Sequence, residues 1–393
     1  MKILIAPDKF KGALNAREVA ENIAKGLLDV LPDVHIEIVP MADGGEGTAE
    51  AICSARGCSW LQCKAHDPLG RDIYARYGWI ANDKLAVMEM SEAAGIKRLQ
   101  TGELNPEIAT TFGVGEMILD ASRQGADQII IGLGGSATND GGFGMARALG
   151  FRFFGQPNAD ELDCFKQSSL RGPDHPLEEA VSELVALVWI RRPVQLTLPK
   201  IIAAVDVRNP LLRQNGATQV FGPQKGASKD QLDILERALT RLADVVAKGF
   251  GFDYRNEPGA GAAGGLGFGL MSFCGAKIRP GFDVVAEAVG LEAKIRGADI
   301  VITGEGSLDR QTLEGKTPVG VARLARKFGK RVFAIVGRAA NDPEVRGIFD
   351  AVYQNARPGM SQQENMKRAA ELLRENALQL ADGLGKRRTI EGV

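Results

Sequence analysis

The strongest constraint on the fold is a repeated local grammar: an apolar run of strand length, a loop of glycine and acid, then a helical pattern. Its fullest instance is QIIIGLGGSATNDGGFGMARALG, residues 128–150. Ile129 to Ile131 reads as a buried strand, Phe143, Ala146 and Leu149 share one helical face, and Gly150 stands where a helix would end. Between them Gly132, Gly134, Gly135, Gly141, Gly142 and Gly144 crowd around Ser136, Thr138, Asn139 and Asp140. A strand feeding a helix through such a loop aims backbone N–H groups and a helix N-terminus at an anion. Glycine suits that task because a residue without Cβ lets the backbone approach a ligand closely. Acid-plus-glycine loops recur as ADGGEGT (42–48), GAGAAGG (259–265, without the acid) and TGEGSLD (303–309), and two lysine-bearing segments join them, DKFKG (8–12) and LEGKTP (313–318).

The order of these units predicts an α/β fold in two domains, since 393 residues exceed one ordinary core. KILIA (2–6) is a parallel-type strand, Asn15 with Glu18 forms a capping box, and Val19, Ile23, Leu27 and Leu31 line the next helix up to Pro32. HIEIV (35–39) and a helix ending at Gly57 complete a β-α-β-α opening. That rhythm returns with ADIVIT near 300, an N-cap at Thr317 followed by Pro318, RVFAIVG (331–337), FDAVYQ near 349 and a last helix over about 361–383. The middle reads differently. DIYARYGWI and KLAVMEM form a hairpin through Asn82-Asp83, a helix covers 113–124, KIIAAVDV is a strand ending at Asp206, and a helix runs over 228–248 from Ser228. Residues 156–198 are the least readable, with a helix-like apolar run near 178–190. The expectation is a parallel α/β domain from residues 1–65 with 288–393, a mixed α/β domain inserted over 66–287, and a cleft where they meet.

A net charge of −1 and a pI near 6.4 give no electrostatic case for nucleic acid or a membrane surface. The apolar start is too short for a signal peptide, and the weakly polar run 259–276 is Gly and Ala rather than a span. A soluble, cytoplasmic protein is expected, its five cysteines buried free thiols without a CxxC pair. Glycine backbone and lysine to hold phosphates, carboxylates to hold Mg²⁺ and a base for a hydroxyl are the parts phosphoryl transfer needs. Familiar frameworks for it are missing. GKT at 315–317 has Arg310 where a P-loop requires glycine, the first strand is followed by PDKFKG rather than GxGxxG, and no HRD-to-Asn or DFG set is present. Three histidines and no GxSxG leave hydrolase and His-zinc chemistry unsupported.

PDKFKG, MADGGEGT, DPLGR (67–71), TTFGVGE (110–116), GLGGSATNDGG, DVRNPL (206–211), FGPQKGAS (221–228), PGAGAAGGLGFG and ITGEGSLDRQTLEGKTPVGVA (302–322) stand in the order found in bacterial glycerate kinases. The chain strongly resembles that family over essentially its full length, departing only between Phe154 and Leu198. The resemblance implies ATP-dependent phosphorylation of D-glycerate, at the 2-hydroxyl, on two α/β domains unrelated to P-loop and protein kinases; the end-built domain would be Rossmann-like or flavodoxin-like. A kinase of another small hydroxy acid, or a non-catalytic sensor of glycerate or nucleotide, are the competing readings; a homo-oligomer is compatible with all of them.

Position and residue type give each candidate a role. Asp8, Lys9, Asp206 and Lys316 are the catalytic candidates: Asp8 as base, Asp206 as metal ligand or base, the lysines as counter-charge. Lys316 beside a helix N-terminus is unfavourable unless an anion is also there. Lys11, Arg71, Gly134, Gly135, Ser136, Thr138, Asn139, Gly264, Gly265, Gly304, Gly306 and Ser307 are expected to hold substrate or phosphate, and Asp43, Glu46, Asp140, Glu305 and Asp309 the metal ion.

Overall fold

A computed structural model describes residues 1–155, 175–177, 180–314 and 316–391. The chain divides into two compact units, Met1–Gly57 with Pro280–Val393, and Cys58–Arg279. The strands are numbered along the whole chain.

Unit 1 is built on five parallel strands: β1 (Lys2–Ile5), β2 (His35–Ile38), β12 (Ile300–Thr303), β14 (Arg331–Val336) and β16 (Ala351–Gln354). Their order across the sheet is β16-β14-β12-β1-β2, the doubly wound arrangement in which the chain's direction of travel reverses between β1 and β12. β12 is buried along its whole length, as expected of a strand covered on both faces. The helix Ala16–Leu28 begins with the capping box of Asn15 and Glu18, each side chain bonded to the other's backbone N–H. Val19, Ile23 and Leu27 bury one of its faces in a core shared with Leu373, Ala377 and Leu380 of the helix Ala369–Glu391.

Unit 2 has a six-stranded mixed sheet in the order β11-β10-β6-β5-β4-β3. Here β5 (Leu85–Glu89), β6 (Gln128–Gly132) and β10 (Lys200–Val205) are parallel, whereas β4 (Asp72–Ile80) pairs antiparallel with β5 on one side and with β3 (Ser59–His66) on the other; β11 (Lys277–Pro280) closes the opposite edge. The helix Lys229–Phe250 starts from Ser228 with a complete capping box. A smaller sheet joins β7 (Arg152–Gly155), β8 (His175–Pro176) and β9 (Leu187–Arg191).

Several expectations change. Residues 59–65, grouped with the first domain from sequence, form β3 of unit 2's sheet, where only Cys63 and Ala65 are buried and the apolar Trp60 is exposed, so the pattern of apolar residues does not mark the strand. The run near 178–190 is not a helix where it is described: a 3₁₀ segment at Val181–Ala186 precedes β9, whose Trp189 stacks on Phe154 with ring centroids 4.2 Å apart. Pairing with β7 decides the matter over helical spacing. The rest of the divergent segment, 156–174 and 178–179, lies outside the described residues. The N-cap of the helix Thr317–Lys327 is Lys316 rather than Thr317, and the last helix is two, Gln362–Lys367 and Ala369–Glu391. Cys53 and Cys58 are disulfide-bonded, not free; Cys63 and Cys274 are free thiols. Among the described residues no helix is long and apolar enough to cross a membrane.

Candidate active site

In open α/β sheets the crevice at a switch in strand order, outside the carboxyl ends of the strands, is where ligands bind. In unit 1 that point lies between β1 and β12, and the loops leaving these two strands carry Asp8 and Lys9 on one side and Glu305 to Asp309 on the other. Asp8 is buried. One of its oxygens accepts from the Thr317 hydroxyl at 2.7 Å, the other from the Lys9 amide at 2.7 Å. Burial, reinforced by the negative charge of Asp43, pushes its pKa up to about 6 against the pull of Lys9 and both hydrogen bonds. Lys9 Nζ lies 4.0 Å from Asp8 Oδ1 and donates to the Glu46 carbonyl at 2.5 Å, so Glu46 contributes its backbone to the lysine's placement.

Glu305 is the second buried acid. Its Oε1 accepts from Thr312 Oγ1 at 2.8 Å, and the same hydroxyl accepts from the Asp309 amide at 3.1 Å. Burial raises its pKa to about 8, opposed by Thr312 and the charge of Lys316 and assisted by Asp8 and Asp309. Asp43 and Lys9 thus act on Asp8, Lys316 and Asp309 act on Glu305, and the charge of Asp8 links the two groups. Gly304 is glycine for packing, because a Cβ there would sit 2.0 Å from the Ile335 carbonyl. Gly306 faces the backbone of Lys11, with Lys11 N 3.4 Å from where its Cβ would be, which brings the Lys11 segment alongside this loop.

Unit 2 departs from the expected phosphate cradle. The glycine loop after β6 does lead into a helix, Phe143–Ala148, but the amides at its start are already supplied with an anion by the chain itself. Asp140 Oδ2 accepts from Thr111 Oγ1 (2.7 Å), Thr111 N (2.9 Å) and Gly144 N (3.0 Å), and Oδ1 accepts from Gly142 N (3.0 Å). Thr111 Oγ1 in turn accepts from Met145 N at 2.9 Å. Asp140 is fully buried, and burial raises its pKa against these four bonds. A carboxylate this saturated is a structural brace, which corrects both its assignment to metal and the phosphate role of this helix N-terminus. Among the described residues no three Asp, Glu, His or Cys side chains form a metal-holding group, so Asp43, Glu46, Asp140, Glu305 and Asp309 are not one donor set.

The glycines of this unit approach backbone. At Gly264, φ is +70° and a Cβ would lie 1.9 Å from the Thr138 carbonyl, while the Gly264 carbonyl accepts from Gly141 N at 3.0 Å. The two glycine loops, with Gly265 opposite Gly141, thus lock on each other. The carbonyl of Gly135 is likewise taken, by Ile96 N at 2.8 Å. Beneath them lies Lys225, which sequence reasoning quoted within FGPQKGAS but gave no role. Its buried Nζ donates to the Thr138 carbonyl at 2.6 Å and to Ser136 Oγ at 3.4 Å. Burial brings its pKa down to about 7 against the attraction of Asp140. Asn139 donates to Thr218 Oγ1 at 3.0 Å, leaving its Oδ1 buried with no donor among the described residues. Arg71, expected to clamp a substrate carboxylate, is held by the protein's own: Asp67 at 2.5 Å and Glu103 at 2.8 Å. Asp206 follows β10 directly and is exposed.

Paired buried acids with lysines at a strand-order switch, and no P-loop, are the equipment of a phosphoryl-transfer enzyme outside the familiar nucleotide-binding classes. Comparison with known proteins makes the class specific. The model of the glycerate kinase family matches residues 3–384. Over 393 residues the chain is 39% identical to the glycerate kinase of Bacillus subtilis (strain 168), covering 99% of each chain. It is 40% identical over 363 residues to the glycerate 2-kinase of Escherichia coli (strain K12), covering 90% of each. A crystal structure from Salmonella typhimurium LT2, described under the name glycerate kinase 2, superposes with a TM-score of 0.83 at 37% identity over 99% of both chains. The chain belongs to the glycerate kinase family, and phosphorylation of glycerate is its activity.

Proposed function

We propose that the protein transfers the γ-phosphoryl group of ATP to the 2-hydroxyl of D-glycerate, releasing ADP and 2-phosphoglycerate. Membership of a kinase family supports ATP as donor, and the relative from Escherichia coli that bears the name glycerate 2-kinase supports the position on glycerate. The observation that carries the mechanism is Asp8, a buried carboxylate with a pKa of about 6, set between a lysine and a threonine hydroxyl at the switch point of unit 1. A base of that strength is largely ionised at neutral pH and still binds a proton well, the compromise general-base catalysis favours. Asp8 takes the proton of the attacking hydroxyl, and Thr317 fixes the orientation of the carboxylate that receives it. Lys9 and Lys316 offset the negative charge that accumulates as the phosphoryl group moves, and positioning with charge neutralisation supplies most of the rate.

The residues present suit a divalent cation. The charge of Asp43 bears on Asp8 and that of Asp8 on Glu305, a burden a cation would relieve, and Mg²⁺ needs only one or two carboxylates beside phosphate oxygens. Asp43 and Glu305 would hold it, with Asp309 near by; when bound it neutralises charge on the β- and γ-phosphates. The unit 2 candidates Gly134, Gly135, Ser136, Thr138, Asn139, Gly264 and Gly265 keep the backbone there in one conformation, and Asp206 is the second candidate base.

A coupled assay of ADP release with D-glycerate and Mg-ATP, followed by ³¹P NMR of the product, tests the reading. A phosphate ester at the secondary carbon is expected. No glycerate-dependent ADP, or an ester at the primary carbon, would sink it.

A further inference from the structure

Beyond the candidates legible from sequence, unit 1 presents one arginine in an unusual setting. After β14 the chain turns through Gly337 into a two-residue strand, β15 (Arg338–Ala339), which pairs in parallel with β13 (Ser307–Leu308) so that Arg338 stands opposite Ser307. This is the loop that carries Glu305 and Asp309. The attachment is made by main chain: Gly337 N donates to the Glu305 carbonyl at 3.0 Å, Arg338 N to the Gly306 carbonyl at 3.1 Å, and Ala340 N to the Leu308 carbonyl at 2.8 Å. The approach is so close that a Cβ on Gly337 would lie 2.4 Å from the Gly306 carbonyl.

On this fixed backbone the Arg338 side chain is exposed, yet it is oriented. Its Nε donates to Ser307 Oγ at 2.9 Å, and Ser307 Oγ points on to Asp309 Oδ2 at 3.5 Å. The two terminal nitrogens have no hydrogen bond or ion pair among the described residues. Carboxylates are not scarce along the same stretch. Asp342 and Glu344 pair with Arg310, at 3.3 and 3.4 Å, and leave Arg338 alone. A guanidinium tethered through Nε has its remaining edge turned outward, and that edge matches two oxygens of a carboxylate or phosphate.

We propose that Arg338, aimed by Ser307, recognises an oxyanion of the reaction, either the carboxylate of glycerate or a phosphate of the nucleotide. This rests on the reading of unit 1 as the reacting centre. It explains why an arginine should be anchored in backbone and side chain at the strand-switch loop while its charge is left without a protein partner. Lysine could not replace it, since an ammonium cannot donate to Ser307 and present a two-pronged edge at once.

Steady-state kinetics of Arg338→Ala, with glycerate varied at saturating Mg-ATP and then the reverse, tests it. Loss of a charge-assisted pair of hydrogen bonds predicts a KM raised about 10- to 100-fold for one of the two ligands. A rise for glycerate identifies the carboxylate as the ligand; a rise for ATP identifies the phosphate. Arg338→Lys should recover only part of the loss, Ser307→Ala should raise the same KM by a smaller factor, and added guanidinium ion should lower it in Arg338→Ala. If neither KM moves by about fivefold the inference is overturned, whatever happens to kcat. Should Arg338→Ala be unfolded by circular dichroism, Arg338→Gln and Arg338→Lys are read by the same criterion. An inactive wild-type enzyme would instead refute the proposed function, so the two failures are told apart.

Discussion

Replacing Asp8 by asparagine should make the protein more stable and nearly inactive, and the size of both effects follows from its surroundings. Burial sets the carboxyl pKa at about 6 in the folded chain against 3.8 for an ordinary aspartate. At 1.36 kcal/mol per unit, keeping it ionised costs the folded state about 3 kcal/mol. The sign is fixed by proton counting. Between these values the folded state holds the proton and the unfolded chain has released it, so stability falls as pH rises through that window and the whole cost is present above about 6. Asparagine removes the cost while preserving the local bonds: its oxygen still accepts from the Lys9 amide, and its amide can donate to Thr317 Oγ1. That figure is already net of the attraction to Lys9, and an imperfect replacement of the Thr317 bond leaves a gain of about 1–3 kcal/mol, or about 2–12 °C in Tm for a unit of this size. Calorimetry in EDTA-containing buffer should show Asp8→Asn melting above wild type near neutral pH, with the difference shrinking as pH falls through the window. Turnover should drop about 10²–10⁴-fold for loss of a general base. A variant that melts below wild type at neutral pH, or whose advantage ignores pH, would refute the account of Asp8 as a strained, functional acid.

The remaining predictions are briefer. Lys316→Ala should lower kcat by about 10²–10³, the loss typical of one charge-stabilising donor, measured at saturating glycerate and ATP; unchanged kcat would remove Lys316 from the site. Gly264→Ala places a methyl 1.9 Å from the Thr138 carbonyl at positive φ, whereas Gly275→Ala meets nothing within 4 Å at a similar φ. Urea unfolding should therefore show a loss of about 3–5 kcal/mol for the first and about 1–2 for the second, and equal losses would refute the packing argument. Lys225 is held down to about 7 from 10.5, so its ammonium penalises the folded state below about 7 and the penalty fades as pH rises to 10.5. Any stability advantage of Lys225→Met over wild type should shrink across that range; a constant difference would show that the buried charge is not the cause.

What the sequence disclosed and what it withheld divide along a physical line. The capping box at Asn15, the N-cap at Ser228, the parallel strands at both chain ends and the helix-stopping Gly57 are set by interactions within a few residues, and each stands where local chemistry put it. β9 is set by pairing with β7 across the divergent segment, and helical spacing misleads there; β3 pairs with the adjacent β4 and is hard to read because only Cys63 and Ala65 of it are buried. The candidate site shows the same division. Asp8, Lys9, Glu305 and Lys316 were legible because strand ends in a parallel sheet converge on one edge, so position along the chain already implied proximity. Lys225 and Arg338 were not, since their meaning lies in a carbonyl or hydroxyl far away in sequence.

The glycines show why composition alone misassigns function. A glycine that lets a phosphate approach and one that lets another main chain approach leave the same mark on a sequence, because both need only the absence of Cβ. Near Gly264 the approaching group is the Thr138 carbonyl, and near Gly304 the Ile335 carbonyl. The helix start beyond the largest glycine loop is closed by Asp140, which meets the same unpaired amides a phosphate would. An acid inside such a loop therefore has two opposite meanings: metal ligand if its oxygens are free, internal anion if they are filled. Counting donors decides between them, and Asp140, with four, belongs to the second kind. Asp8 and Glu305 accept fewer bonds than a buried carboxylate can take and have pKa values raised toward neutrality. The proposed chemistry is therefore placed where the carboxylates are left underserved, while the glycine-rich loops of unit 2 hold backbone against backbone.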